Sequence, residues 1–381
     1  MEFDFTALLL GLPIAFALGW LASRMDWRQM RVENRQSPKA YFRGLNFLLN
    51  EQQDQAIDAF IEAVQNDPDT SELHFALGNL FRRRGEYDRA VRVHEHLLAR
   101  GDLKQSERDR AQHALALDFL KAGLLDRAEA ALHKLEGTAY EQEARLALLA
   151  IYERSRDWPQ ASDVAQRLDS DSHGSFGPRQ AHYLCEQAQA RTDAGDLEQA
   201  LALLAQARQA APQSSRPLLE QAQLMHQQGQ SEAAFETLMQ LQQCAPQALP
   251  LAAALLAKLA VQTGRQAQAR QLLTEAQDAQ PSIDLVQAIA ELESSPSAAR
   301  DWYVRHLERE PSLIAAGKWL AGEPFEHEQH HPIVQRAIDR ASGPLMRYRC
   351  AACGFEAKQH FWHCPGCQAW DSYPARRIEE L

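Results

Sequence analysis

The amino-acid sequence predicts an all-α protein: a solenoid of paired helices, preceded by one apolar helix and followed by a small four-cysteine metal module. Three observations predict this architecture. An uncharged stretch of 19 residues lies near the start of the chain, a pattern of small residues recurs every 34 positions, and two Cys-x-x-Cys pairs stand near the end. Gln and Ala are abundant and β-branched residues are sparse, which favours helix over strand.

The composition limits the classes of function that fit the chain. Its 381 residues are 45% hydrophobic and carry a net charge of −11, so there is enough apolar material for two or three domains but no sign of the basic stripe that nucleic-acid binding requires. Of the six cysteines, Cys185 and Cys244 stand alone in helical segments and are interpreted as ordinary buried small residues. Unpaired thiols and thiolate ligands both fit a reducing compartment.

The apolar stretch from Phe5 to Ser23 predicts an N-terminal transmembrane helix, assigned to residues 1–23. At about 1.5 Å per residue its length is roughly 28 Å, close to the hydrocarbon thickness of a bilayer. Pro13 would break a soluble helix but is tolerated in a membrane span. A cleaved signal peptide would need positive charge ahead of the span, whereas Glu2 and Asp4 precede it.

The flanking charges predict the orientation of this helix. Positive residues follow the span and none precedes it, so the positive-inside rule places residues 24–381 in the cytoplasm and the N-terminus on the other side of the membrane. Residues 24–39 form a basic juxtamembrane segment, which either contacts anionic membrane lipid or serves topology alone. Within the span, small or helix-breaking residues are candidate contacts with a partner's membrane helix: Gly11, Pro13 and Gly19.

Residues 40–311 repeat with a period of 34. Positions of one unit have counterparts 34 residues later in the next. The first unit has Gly44, Ala56, Phe60, Ala63 and Pro68, and the corresponding residues of the second are Gly78, Ala90, His94, Leu97 and Asp102. This period and pattern are typical of tetratricopeptide (TPR) repeats, in which small residues let two antiparallel helices approach and a Gly supplies the turn between them. The sequence therefore predicts an array of seven to eight repeats that presents a concave, protein-binding surface.

Later units carry the same landmarks. Turn glycines are predicted at Gly123, Gly195, Gly229 and Gly264, and Arg156 stands where the turn glycine of the fourth unit would be. The Gly/Ser/Pro-rich stretch at 169–178 predicts a break that divides the array into two halves. Residues 312–344 are predicted to be a helical connector to the C-terminal module.

The first helix of each unit is expected to line the concave groove. In the second and third repeats this reasoning names candidate partner-binding residues: Phe75, Asn79, Arg82, Arg83 and Lys121. An Asn side chain could hydrogen-bond an extended peptide backbone, and arginines could pair with acidic side chains. The alternative interpretation is an ordinary charged helix face exposed to solvent.

The sharpest chemical signal is the C-terminal module, residues 345–381. Cys350 and Cys353 form one Cys-x-x-Cys pair, and Cys364 and Cys367 form a second after ten intervening residues. Two such knuckles can place four thiolates at the corners of one tetrahedron, which predicts one bound metal ion, zinc or iron. Two disulfides are the alternative, but each would close a strained four-residue loop. Four cysteines complete a tetrahedral site, so neither His360 nor His363 is expected to be a ligand.

At this point the chain resembles the lipopolysaccharide assembly protein B (LapB) family of Gram-negative bacteria. The resemblance spans essentially the whole chain: apolar helix, TPR array and rubredoxin-type metal domain in that order. Its most specific stretches are GLNFLLNEQQDQA at 44–56, LGNLFR at 77–82, RYRCAACGF at 347–355 and WHCPGCQAW at 362–370. Gln368, where the second knuckle of a rubredoxin usually has Gly, and the short spacer depart from the rubredoxin pattern.

The resemblance implies a non-catalytic inner-membrane adaptor. Proteins of this family work with the membrane protease FtsH to promote degradation of LpxC, the deacetylase that commits material to lipid A, and they act beside other lipopolysaccharide assembly proteins. The resemblance also implies that the four cysteines bind the metal. Two alternatives stay open: a rubredoxin-like redox protein, and a membrane-tethered assembly scaffold or holdase without a protease partner.

Overall fold

The computed structural model describes residues 16–20, 42–47, 49–50, 52–66, 70–171, 176–323 and 328–381. It forms two compact units, Met1–Ser155 and Arg156–Leu381. The division follows Ser155 and so lies ahead of the break predicted at 169–178. Arg156, at the division, has a left-handed backbone with φ of 59°, which ends the preceding helix.

In the first unit, helical hairpins follow one another along the chain. Short helical segments occupy 16–20 and 42–47, and longer helices follow: α1 (Gln53–Asn66), α2 (Ser71–Arg83), α3 (Tyr87–Ala99), α4 (Gln105–Ala122), α5 (Leu125–His133) and α6 (Glu141–Ser155). Each of these longer helices packs against the next, and α2 also contacts α4. Contacts between neighbours in sequence are what an array of stacked repeats requires.

The second unit continues the same arrangement and ends in the metal module. Its helices are α7 (Trp158–Asp171), α8 (Gly177–Asp193), α9 (Leu197–Ala210), α10 (Arg216–Gln227), α11 (Ser231–Met239), α12 (Leu241–Cys244), α13 (Leu249–Thr263), α14 (Gln266–Ala279), α15 (Ile283–Glu291), α16 (Pro296–Arg309), α17 (Leu313–Ala321) and α18 (His331–Ser342). Short 3-10 turns lie at Pro246–Ala248, Glu328–His330 and Ile378–Glu380. Two strands, β1 (Tyr348–Arg349) and β2 (Glu356–Ala357), pair antiparallel in the module.

The turns within the repeats lie where the sequence predicts them. Gly123, Gly195, Gly229 and Gly264 all have φ between 71° and 82°, the left-handed region that costs glycine no steric energy. Arg156 adopts this same region at the position where a glycine was expected to stand. A non-glycine residue there costs about 1 kcal/mol or more, which the surrounding repeat has to offset.

Close helix crossings explain the recurring small residues. A side chain at Gly78 would place its Cβ 2.5 Å from Nε2 of His94, and one at Gly44 would lie 2.9 Å from the Phe60 ring. His94 and Phe60 are both buried, so neither can move aside easily. At these positions of the 34-residue pattern, a large side chain of one helix packs directly against a glycine of another helix.

These features confirm the predicted all-α array of helical repeats followed by a small metal module. The predicted connector, residues 312–344, contains α17 and α18, and these helices extend the series because α17 packs against α16 and α18 against α17. Of the predicted span, residues 5–23, the structure describes only 16–20. Among the described residues, no helix combines the length and the apolar character needed to cross a bilayer.

Candidate metal centre

The metal module is built from two knuckles that approach each other. The first follows β1: the backbone turns through Cys350 to Cys353, Gly354 adopts a left-handed φ of 78°, and the chain returns in β2. The turn closes because the N–H of Gly354 donates to the carbonyl of Cys350 over 2.9 Å. This tight turn brings both thiols of the first pair to one side of the hairpin.

The second knuckle repeats the first with a different residue at the turn. The N–H of Gln368 donates to the carbonyl of Cys364 over 2.8 Å, which matches the bond made by Gly354 in the first knuckle. Gln368 has φ of 60°, so the position that departs from the rubredoxin pattern keeps the glycine-like backbone. The knuckle geometry is therefore retained at the cost of some backbone strain.

The four cysteine sulfurs form one compact cluster. All four lie within 4.8 Å of one another, with 3.8 Å between Cys350 and Cys367 and 3.7 Å between Cys353 and Cys364. A tetrahedron with metal–sulfur bonds of about 2.3 Å has edges of about 3.8 Å. The thiols are free rather than disulfide-bonded, so the donor set fits one zinc or iron ion, as the sequence predicts.

Hydrogen bonds favour the thiolate form of Cys350 and Cys364, whereas at Cys353 and Cys367 a backbone hydrogen bond is outweighed by burial and the neighbouring thiols, which raise the pKa of both. The hydroxyl of Ser372 lies 3.2 Å from the Cys350 sulfur. Burial raises the pKa of Cys350, but hydrogen bonds from this hydroxyl and from backbone N–H groups of the knuckle outweigh burial and lower the pKa to about 6. A thiolate is the form that binds a metal ion, so these donors prepare the site for it.

The two histidines of the module serve its packing. Nε2 of His360 lies 2.9 Å from the carbonyl oxygen of Tyr373, and burial lowers the pKa of this histidine. The ring of His363 stacks on Trp370, with centroids 4.3 Å apart. Neither belongs to the cluster of four cysteine sulfurs among the described residues.

Trp370 anchors one side of the module on the repeats. Its ring stacks on that of His182 in α8 with centroids 4.7 Å apart, and it meets the edges of Trp158 and Tyr183 at 5.9 Å. Beside it, Nε2 of His182 lies 2.8 Å from a carboxylate oxygen of Asp371. His182 is buried at 1% exposure, whereas the Asp371 side chain is 55% exposed, so this contact lies at the edge of the interface between module and repeats.

The C-terminal turn, Ile378–Glu380, anchors the other side. Arg377 forms two hydrogen bonds of 2.8 and 2.9 Å with the carboxylate of Asp284 in α15. Glu380 accepts the backbone N–H of Ile283 over 2.5 Å, and Glu379 accepts a hydrogen bond from the hydroxyl of Ser312 over 2.8 Å. Glu379 also accepts the backbone N–H of Ile314 over 3.2 Å, so the two glutamates satisfy backbone donors at the starts of α15 and α17, where the helix dipole also favours negative charge.

Comparison with known proteins identifies the family of the chain. Residues 348–373 match a family described as a rubredoxin metal binding domain, and residues 73–108 and 191–259 match tetratricopeptide repeats. The chain is 32% identical to lipopolysaccharide assembly protein B of Escherichia coli K12, over 98% of this chain and 99% of that protein. The chain belongs to the lipopolysaccharide assembly protein B family. The protein of that name from Haemophilus influenzae is 27% identical over 96% of each chain.

The solved structures that resemble this chain have lower sequence identity to it than these relatives do. They include the Naa15/Naa10 complex bound to HypK (TM-score 0.45, 16% identity, 81% of this chain and 47% of that chain). A tetratricopeptide repeat protein from Parabacteroides merdae has a TM-score of 0.33 and 14% identity, over 67% of this chain and 98% of that chain.

The predicted partner-binding residues of this LapB-family chain divide into buried and exposed groups. Phe75 is only 1% exposed, packs with Leu97 and Ala111, and lies under the guanidinium of Arg110 at 4.0 Å. Its assignment to an open groove is therefore wrong, because its side of α2 faces α4. Arg83 and Lys121 are exposed on the surface, and whether they contact a partner stays a prediction.

Arg82 and Asn79 belong to a buried polar network. Arg82 donates to Asp118 over 2.9 Å, to the carbonyl of Ala114 over 3.1 Å and to Asn79 over 2.5 Å. The second carboxylate oxygen of Asp118 lies 2.5 Å from Nδ1 of His94. Arg82 therefore holds α2 to α4, and this internal role was not predicted from the sequence.

The structure describes only one of the three residues that were predicted to contact a partner within the membrane span. Gly11 and Pro13 lie outside the described residues. Gly19 lies in the helical segment 16–20, and a side chain there would meet nothing within 4 Å. Its role as a contact in a membrane stays a prediction.

Proposed function

We propose that this protein is a non-catalytic scaffold in lipopolysaccharide assembly. The observation that carries the proposal is the 32% identity to a lipopolysaccharide assembly protein over 98% of the chain. Because the similarity covers repeats and metal module together, it supports a shared role for the whole molecule rather than for one domain. Arrays of TPR repeats offer extended surfaces that bind other proteins.

The metal centre supports a structural role for the ion. Four cysteine donors fill a tetrahedral coordination shell, whereas catalytic zinc sites keep one position open for water or substrate. Contacts through Trp370 and Arg377 join the module to α8 and to α15. When bound, the ion would hold the two knuckles together, and the second knuckle leads directly into Trp370, which contacts α8.

The finer proposal concerns the proteins that the scaffold brings together. The family resemblance supports an FtsH-type membrane protease and an LpxC-type deacetylase as the principal pair, with other lipopolysaccharide assembly proteins as further partners. The scaffold would present the deacetylase to the protease and so limit lipopolysaccharide synthesis. This role needs surfaces for two proteins and no reacting group of its own.

Depletion of the protein tests this role. We expect the half-life of the deacetylase to lengthen severalfold and lipopolysaccharide to increase, because the protease loses access to its substrate. The half-life is measured by immunoblotting after protein synthesis is blocked, with re-expression of the wild-type chain as the control. A deacetylase half-life that does not change on depletion would contradict the adaptor proposal.

We also propose that the protein is anchored in the inner membrane by residues 5–23, with the chain from residue 24 onward in the cytoplasm. The charge asymmetry of the sequence supports this topology. Protease added to inverted inner-membrane vesicles should digest the repeats, and protease added to intact spheroplasts should leave them whole. Digestion of the repeats in intact spheroplasts would reverse the assignment.

A further inference from the structure

A cleft in the second unit lies between the metal module and the repeats. Its volume is about 620 Å³. One wall comes from the module, where Trp362, Tyr373 and Pro374 face the cleft, and the other comes from the segments that join α9 to α10 and α12 to α13. A cleft of this size is in the range that holds a small ligand or several residues of a peptide.

Arg376 is the arginine in the lining of this cleft, and no described residue forms an ion pair with it. Its Nε atom is buried without a hydrogen bond, and within the described residues its side chain makes no ion pair. The other arginines of the module are paired: Arg347 and Arg349 with Glu356, and Arg377 with Asp284. A buried guanidinium nitrogen without an acceptor is costly, so the site favours a ligand that supplies an oxygen.

The other charge in the lining is Asp371. One carboxylate oxygen of Asp371 lies 2.8 Å from Nε2 of His182 in the adjoining repeat, and the Asp371 side chain is 55% exposed. Asp371 forms no ion pair with Arg376, so Arg376 has no counter-ion within ion-pair distance among the described residues.

One helix start adds positive potential to the same cleft. Ser215 precedes α10 and lines the cleft, and its side chain does not cap the helix. The partial positive charge at a helix N-terminus favours an anionic group nearby, which agrees with the position of Arg376.

The remaining lining suits an extended peptide. Apolar surface comes from Trp362, Leu251 and Pro374. Three glutamines project amide groups at the rim and form no side-chain hydrogen bonds with the part of the chain that the structure describes: Gln213, Gln247 and Gln280. Amide groups can pair with the N–H and C=O groups of a bound backbone, while the apolar wall receives a side chain.

We propose that this cleft binds an extended peptide segment of a partner protein, with a carboxylate of the segment held by Arg376. The proposal rests on the proposed scaffold function, and it assigns the recognition site to the junction of module and repeats. Both the cleft and the placement of Arg376 depend on the docked module. Binding therefore requires the folded metal centre.

Peptide binding by the metal-loaded full-length protein tests the proposal. The probes are fluorescein-labelled octapeptide pools with randomised apolar residues, in three forms: one internal Asp with an amidated C-terminus, no acidic residue with a free C-terminal carboxylate, and neither carboxylate. Fluorescence anisotropy should show binding of a carboxylate-bearing pool. Arg376→Gln should weaken that binding about tenfold or more, because it removes the charge-assisted hydrogen bonds to the carboxylate.

A matched variant and the third pool make the outcome decisive. Arg349→Gln removes an arginine of the same module that pairs with Glu356 outside the cleft, so it should leave peptide affinity unchanged. The pool that binds best shows whether the carboxylate is a side chain or a C-terminus. The proposal is overturned if the pool without carboxylates binds equally well, or if Arg376→Gln binds as tightly as the wild type while retaining its metal.

The deacetylase half-life in cells that carry Arg376→Gln separates this inference from the proposed function. If Arg376→Gln loses peptide binding but the deacetylase half-life is unchanged, the cleft remains a peptide-binding site. It is then not the site that recognises the deacetylase. An unchanged half-life on complete depletion would instead reject the adaptor function, whatever the peptides show.

Discussion

Replacing Cys350 or Cys367 by serine is expected to release one metal ion per chain and to unfold the C-terminal module. The buried apolar cluster of the module consists of Tyr348, Cys350, Cys364 and Tyr373, so two of its four members are themselves metal ligands. A core this small cannot stabilise the module alone. The ion has to contribute most of the folding free energy, which for structural zinc amounts to about 10 kcal/mol or more.

Elemental analysis of the purified variants gives the metal content, and limited proteolysis gives the state of the module. His363→Ala is the control, since His363 stacks on Trp370 and is not part of the sulfur cluster; this variant should retain the ion. Treatment of the wild type with a strong chelator should reproduce the cysteine variants. Full metal content in Cys350→Ser and Cys367→Ser would contradict a four-thiolate site.

Reversing the charge of Arg82 is expected to destabilise the first unit, whereas reversing that of its neighbour Arg83 is not. Asp118 is fully buried and Arg82 is 19% exposed, with 2.9 Å between their charged atoms. Arg82→Glu removes the partner of a buried carboxylate and adds a like charge beside it. The loss of a partner from a buried pair costs about 3–5 kcal/mol, and an exposed surface change costs about 0.5 kcal/mol or less.

Amide hydrogen exchange of the full chain measures this difference locally. Protection of α2, α3 and α4 should fall in Arg82→Glu and stay at the wild-type level in Arg83→Glu. Equal protection in the two variants would show that the Arg82–Asp118 pair does not hold these helices together. Because Arg82→Glu disturbs the fold, only Arg83→Glu and a matching Lys121→Glu variant can test these exposed positions as partner contacts.

The repeats could be predicted from the sequence because their determinants are local. A left-handed turn within a hairpin selects glycine, as at Gly123, and a close helix crossing selects glycine at Gly78. Both constraints return with each repeat and so appear as a period. The metal cluster was predictable for a similar reason, since a Cys-x-x-Cys knuckle encodes its own geometry in four residues.

The faces of the helices could not be predicted in the same way. Phe75, Asn79 and Arg82 do share one side of α2, as their spacing indicates. That side faces α4, where Asp118 receives the arginine, and the sequence period does not tell which side of a helix a neighbouring repeat covers. The carboxylate that pairs with Arg82 lies 36 positions away, and no local pattern connects the two residues.

The contacts between the module and the repeats could not be predicted from the sequence either. The ring of Trp370 stacks on His182, a residue of a distant repeat, and no local pattern connects the two residues. Glu379 and Glu380 contact the starts of α17 and α15, across 67 and 97 positions of the chain. Contacts of this kind depend on how the array brings distant segments together.

The attachment of the module at both α8 and α15 has a consequence for how the second unit comes apart. In a simple repeat array, stability is a sum of terms between neighbours, and one end can fray without disturbing the other. Here a hydrogen bond joins positions 189 apart in sequence, His182 and Asp371, while Arg377 reaches Asp284. The helices between these two contacts and the module thus form a closed series of contacts. Breaking one contact in the series weakens the others. The second unit should therefore behave as a single cooperative body, in which the loss of one ion destabilises the helices from α8 to α15.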